Sequence, residues 1–387
     1  MKSLDRLPFR VIVGWLVLAC ALGYLVSLGA TSPDNLFADT FASGLINYHA
    51  MIGWVVLMAA ALAIATVSTG DSRSPTVRSL IRLATLLTPT YPLLSLVPQL
   101  AQFQGPVLQV TMAAVGVAAL AAGLEARRID GLTPRATGLL LVGLGQLGVC
   151  VAMYLRVRPE LKFSPLVELT VIAALALLGE PLPGARLSGQ HRATLILLAA
   201  LAYRPLLPGY AQTLLFARLF GFVALAYFTL RGLRERVPSR LARWTGRLAV
   251  LAFLEALLIG SYIRLLGEDV YLRRTLFGSS ASHMGYFCVL LALLAVWLRE
   301  REPLPRWPRA AGLGLVGILV GTHVFAVSMM VLGAYGNQLH VIHDRPELAP
   351  WHVWATVGAS VFLLGLAQVV LTVRRVHVAP PEAKVFD

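Results

Sequence analysis

Three histidines, His340, His343 and His352, crowd one short polar stretch, LHVIHDRPELAPWHVW, set between two long apolar runs. Three more lie inside apolar runs: His49 in NYHAMIGW, His283 in SSASHMGYF and His323 in GTHVFAVSMM. An ionisable ring in hydrocarbon is costly unless a partner meets it, and such residues usually face the interior of a helix bundle. Neutral imidazole is the commonest metal-ligating side chain. Haem iron accepts axial nitrogens of this kind. The chemistry to expect is therefore metal or haem ligation.

Two imidazoles from facing helices at similar depth are what a haem clamped inside a bundle requires. The sequence offers His49 with His352, both near the start of an apolar run, and His283 with His323, from consecutive antiparallel runs. Either pair suits a haem, for which b-type is the expectation, or contributes to a copper site. His340 and His343 are three apart and share a face if that loop is helical, which would suit copper. Plainer roles compete. A membrane-buried histidine also serves as an interhelical hydrogen-bonding group. His340 and His343 are ordinary solvated residues if the loop is wet. His352, flanked by Trp351 and Trp354, fits an interfacial aromatic belt.

Four other polar residues fall inside or at the edge of apolar runs: Arg218, Glu255, Tyr262 and Arg264. Glu255 and Tyr262 are seven apart and share a helix face, so they could line a proton or substrate path. A pairing of Glu255 with Arg218 on the preceding helix is the alternative. Arg264, Arg273, Arg274 and Arg345 are candidates to bind haem propionates. Pro89, Pro92 and Pro98 break or kink a third apolar run. Broken helices often frame binding sites in transporters.

The elements that must position these residues are helices in lipid. The chain has 387 residues, 57% of them apolar and only 13% charged, with a mean hydropathy of +0.74. Soluble domains carry about 25% charge. Apolar stretches long enough to cross a ~30 Å core recur from end to end. Spans are expected at 9–30, 44–68, 80–102, 105–125, 134–155, 164–184, 192–209, 211–230, 243–266, 274–298, 309–334 and 351–373. The fold class is thus all-α, a polytopic transmembrane bundle of about twelve helices. Residues 1–378 form one integral membrane domain and 379–387 a short tail. The first run is read as a transmembrane helix, because no small-residue cleavage site follows it.

Basic residues set the orientation. With the N-terminus inside, the inner segments hold 24 arginines and lysines and the outer segments 6. This bias places both termini on the cytoplasmic side of the membrane. It also accounts for the net charge of +14 through contact with anionic headgroups, and no nucleic-acid partner is needed. Cys20, Cys150 and Cys288 stand alone in separate apolar runs, without the spacing of a disulfide frame or zinc site. Phosphate-binding, HExxH and CxxCH motifs are absent. Gly143, Gly145 and Gly148 of GLGQLG lie mid-span and are read as a packing feature.

The layout resembles the NnrS family, twelve-helix haem- and copper-containing proteins linked to nitric oxide stress. The resemblance is carried by the basic start RLPFR, by Tyr48-His49-Ala50-Met51 at the head of the second span, and by ASHMGYFCVLLALLAV with His283 and Gly285. The chain is similar, more distantly, to the catalytic subunits of haem–copper oxidases and nitric oxide reductases, in His49 and the group His340, His343 and His352. The sixth and seventh spans contain no histidine, so the three copper ligands such oxidases need there are missing. HAMIGW lacks the acidic residue expected after an NnrS-type histidine, and TVSTGD lacks the tryptophan. The resemblance implies a haem-binding, copper-binding membrane protein of respiration or the nitric oxide response, with its metal centre near the periplasmic face. Oxygen reduction is not carried over. A secondary transporter with proton-coupling polar residues is the alternative, and a non-catalytic subunit associated with other respiratory subunits a third.

Overall fold

In a computed structural model, residues 6–31, 39–68, 74–155, 159–179, 188–203, 211–237, 239–265, 275–299, 309–336 and 346–378 are described. Among them the chain folds into twelve α-helices and no sheet. They are α1 (Arg6–Thr31), α2 (Asp39–Ser68), α3 (Pro75–Leu94), α4 (Gln104–Asp130), α5 (Pro134–Tyr154) and α6 (Pro159–Leu178), followed by α7 (Gly189–Ala202), α8 (Ala211–Arg236), α9 (Arg240–Leu265), α10 (Leu276–Arg299), α11 (Arg309–Ala334) and α12 (Ala349–Val378). Each expected span overlaps one of these α-helices. Among the described residues eight segments are long and apolar enough to cross a membrane: 48–67, 98–130, 134–154, 214–235, 240–263, 276–299, 309–334 and 349–373. Gly14–Leu28 and Pro165–Leu178 are shorter apolar segments. The molecule is a multi-pass helical membrane protein.

Local chemistry sets several helix starts. Ser74, Thr133 and Ser188 sit in extended backbone and accept hydrogen bonds from the N–H groups of Val77, Ala136 and His191. Each side chain satisfies a donor that the first helical turn leaves open. Pro75 and Pro134 occupy the first helical position, where a missing N–H costs nothing. Gly131 closes α4 with φ of 78°, a conformation that a side chain disfavours.

Two spans differ from expectation. The third helix ends at Leu94 instead of running to 102; Pro98 starts a 3₁₀ helix, Pro98–Phe103, that leads into α4. Pro89 and Pro92 are accommodated inside α3, and the Ser95 hydroxyl donates to the Pro92 carbonyl where the helix stops. The seventh helix has only 14 residues, about 21 Å of rise, too short to cross the hydrocarbon. Glu180 and Arg204, the polar residues beside that region, lie outside the described residues.

Helices in lipid gain little from hiding apolar surface from one another, so close packing of small residues must hold them. The α11–α12 contact is built this way. A Cβ on Gly365 would lie 2.6 Å from the Gly314 carbonyl oxygen, and one on Gly314 would lie 2.8 Å from the Gly365 carbonyl oxygen. The alanine-rich stretch 59–65 of α2 and residues 172–176 of α6 are almost fully buried. The glycines of GLGQLG do pack as expected: Gly143 meets Leu120, Gly145 meets Leu169 and Gly148 meets Tyr203.

Candidate histidine-lined site

His49 is in the third turn of α2, and His283 is in the second turn of α10. Their rings face each other with centroids 6.2 Å apart and planes within 18° of parallel. That spacing falls within the range of aromatic pairs. Two imidazoles that share a metal at about 2.0–2.1 Å per nitrogen have a similar centroid separation, but each nitrogen's lone pair lies in its ring plane, so a shared metal requires the rings to meet edge to edge.

The surroundings of both rings fit ligation. His283 Nδ1 lies 2.8 Å from the Ser279 carbonyl oxygen and 3.2 Å from its hydroxyl. A carbonyl only accepts, so Nδ1 carries hydrogen and Nε2 presents its lone pair, as in histidine ligands held by an outer hydrogen bond. His49 lies against Gly23 of α1, where a Cβ would sit 2.9 Å from the ring's Cε1. Only glycine admits the ring there. Gly53 is one turn beyond His49 on the same face, and a Cβ on it would meet only the Tyr286 hydroxyl, at 4.0 Å. Gly285 is buried, yet a Cβ on it would meet nothing within 4 Å. Phe325 and Tyr286 stand beside His283 at 5.3 and 6.3 Å between centroids.

The pairs expected from sequence were His49 with His352 and His283 with His323; the structure joins His49 with His283. His323 is committed elsewhere. Its Nε2 lies 2.5 Å from Glu255 Oε1, and its Nδ1 lies 2.7 Å from the Leu319 carbonyl oxygen. His352 is buried at the head of α12, on the face that also carries Thr356, whose hydroxyl is 2.6 Å from that of Ser27 in α1. Among the described residues no three His, Cys, Asp or Glu side chains converge as a metal cluster. His340, His343, Arg273, Arg274 and Arg345 lie outside the described residues, as does the side chain of Arg264.

The expected Glu255–Arg218 pair is replaced by two others. Arg218 bonds Glu168 of α6 through Nε at 3.2 Å and through a terminal nitrogen at 3.1 Å, and its guanidinium lies over Phe222. Both charges are nearly buried, so a two-point pairing is what the site demands. Glu255 turns to His323 instead. Tyr262 is largely exposed, its ring against Phe277. Cys20, Cys150 and Cys288 are free thiols.

Neither Gly23 nor Glu168 was identified from sequence as a partner. Glu168 was visible as an acid inside an apolar run. Gly23 carried no signal, because close approach of a ring from another helix leaves no mark on local sequence. No protein-family model and no curated protein matches this chain.

Proposed function

We propose that this protein binds haem inside the membrane, with His49 and His283 as its axial ligands. The observation that supports the reading is the near-parallel ring pair at 6.2 Å. His49 and His283 would hold the group, and a haem held by both imidazoles would supply electron-transfer or electron-storage chemistry. Catalysis at the iron would need an open site. The apolar helices around it exclude water and so influence the potential. Residues of the bundle supply orientation: Ser279 fixes the His283 ring and Gly23 admits His49.

In this reading the bundle inserts in a bacterial inner membrane, and the haem lies toward the periplasmic face. The inner segments then carry the arginine excess. The role would be in respiration or the nitric oxide response, in keeping with the resemblance to NnrS proteins. A copper site would have to draw on His340 and His343.

A secondary transporter is the second reading, favoured by the Glu255–His323 pair within membrane-crossing helices. Haem content separates the two. Protein purified from haem-replete cells should hold about one haem per chain by pigment extraction and iron analysis. A colourless, iron-free preparation would favour the transporter.

A further inference from the structure

We infer that Glu255 and His323 together form a proton-binding site in the membrane-crossing part of the bundle, where α9 meets α11. His323 Nδ1 is 2.7 Å from the Leu319 carbonyl oxygen, so that nitrogen donates its hydrogen there. The other nitrogen, Nε2, is 2.5 Å from Glu255 Oε1. Two bare lone pairs would repel at this contact, so one proton lies between them. The pair is therefore imidazole beside carboxylic acid or imidazolium beside carboxylate, and it is uncharged overall in both forms. Gaining one proton gives imidazolium beside carboxylic acid; losing one gives imidazole beside carboxylate. The proton belongs to the pair and not to either residue.

The side chains of His323 and Glu255 keep 39% and 23% of their exposure, at the surface of membrane-crossing helices. His323 and Thr322 also line a cavity of about 10 Å³ that reaches Met284. The Thr322 hydroxyl is buried without a hydrogen-bond partner. The space approaches what one water molecule needs, about 10–15 Å³.

Nearby ionisable groups have other engagements. Arg218 and Glu168 bond each other, His283 is held by Ser279 and faces His49, Arg247 lies over Trp244, and Tyr262 packs on Phe277. Tyr286 stands edge-on to His283, and His352 heads α12. The inference does not depend on what His49 and His283 hold.

Infrared difference spectroscopy between acidic and neutral buffer, on the whole protein in lipid nanodiscs, tests it. Beside the bands of the other carboxyl groups that protonate in acid, the wild type should give a carboxylic C=O band that shifts in D₂O and belongs to Glu255. The band should vanish in Glu255→Gln and change frequency in His323→Gln, while Tyr262→Phe leaves it alone. If Glu255→Gln does not fold, Glu255→Asp, which withdraws the acid by one methylene, must move the band. A spectrum identical in the wild type and the Glu255 variants would overturn the site, as would a Glu255 band indifferent to His323→Gln.

Discussion

Gly23 of α1 lies directly against the ring of His49, so close that a methyl group on it would stand 2.9 Å from the ring's Cε1. The glycine is thus part of what sets the His49 ring opposite His283. Replacing Gly23 with Leu should push the ring aside while leaving the helix able to form, since glycine is not a favoured helix residue. Haem occupancy should fall several-fold, and the remaining pigment should show weakened axial ligation. Full occupancy with an unchanged spectrum in Gly23→Leu would mean that the ring is held by something else.

The Arg218–Glu168 pair gives a stability prediction. Removing one partner of a buried ion pair leaves an uncompensated charge, typically a loss of about 3–5 kcal/mol. Arg218→Met should therefore lower the thermal unfolding midpoint markedly. Arg218→Met combined with Glu168→Leu should recover much of the loss. A double variant as unstable as the single one would show that the cost lies in lost packing over Phe222 and not in the stranded carboxylate.

The glycine contact between α11 and α12 makes a paired prediction. Gly365→Ala places a methyl 2.6 Å from the backbone oxygen of Gly314, which cannot swing away, so the helices must separate at a cost of about 1–3 kcal/mol. Gly260→Ala in α9 meets nothing within 4 Å and should be neutral or slightly stabilising. Thermal unfolding of the two variants side by side checks this. Equal midpoints would mean that the α11–α12 contact loosens at little cost.

The helical bundle was legible in sequence because hydrocarbon imposes a simple demand: every backbone group must be satisfied within its own helix, so apolar length alone reveals the element. Each expected span overlaps a helix for that reason. Boundaries were misjudged where proline chemistry competed with hydropathy. The run past Leu94 stays uncharged to 103, but Pro98 turns it into a 3₁₀ segment before α4. The depth of His49, His283 and His323 was also legible, since it follows from counting residues down a helix. Their partners were not. Pairing depends on which helix faces become neighbours, and the patterns of α2 and α10 look apolar all round. His323 had three possible neighbours in sequence terms, and Glu255, on a helix 68 residues earlier in the chain, proved to be the one. The same holds for Arg218, which turned from the expected Glu255 to Glu168.

His352 separates the two ways of pairing His49. If His49 and His352 were the ligands, His352→Ala would abolish pigment and His283→Ala would spare it. The arrangement found here predicts the reverse, with His323→Ala also sparing the pigment because that ring is bonded to Glu255.

The most direct measurement is the near-infrared magnetic circular dichroism of the purified, oxidised protein, compared with its His49→Ala and His283→Ala variants. The account predicts a low-spin ferric haem with bis-imidazole ligation in the wild type, lost in each of the two variants. A protein that purifies without haem, or whose haem signature survives the loss of His49 or His283, would contradict it.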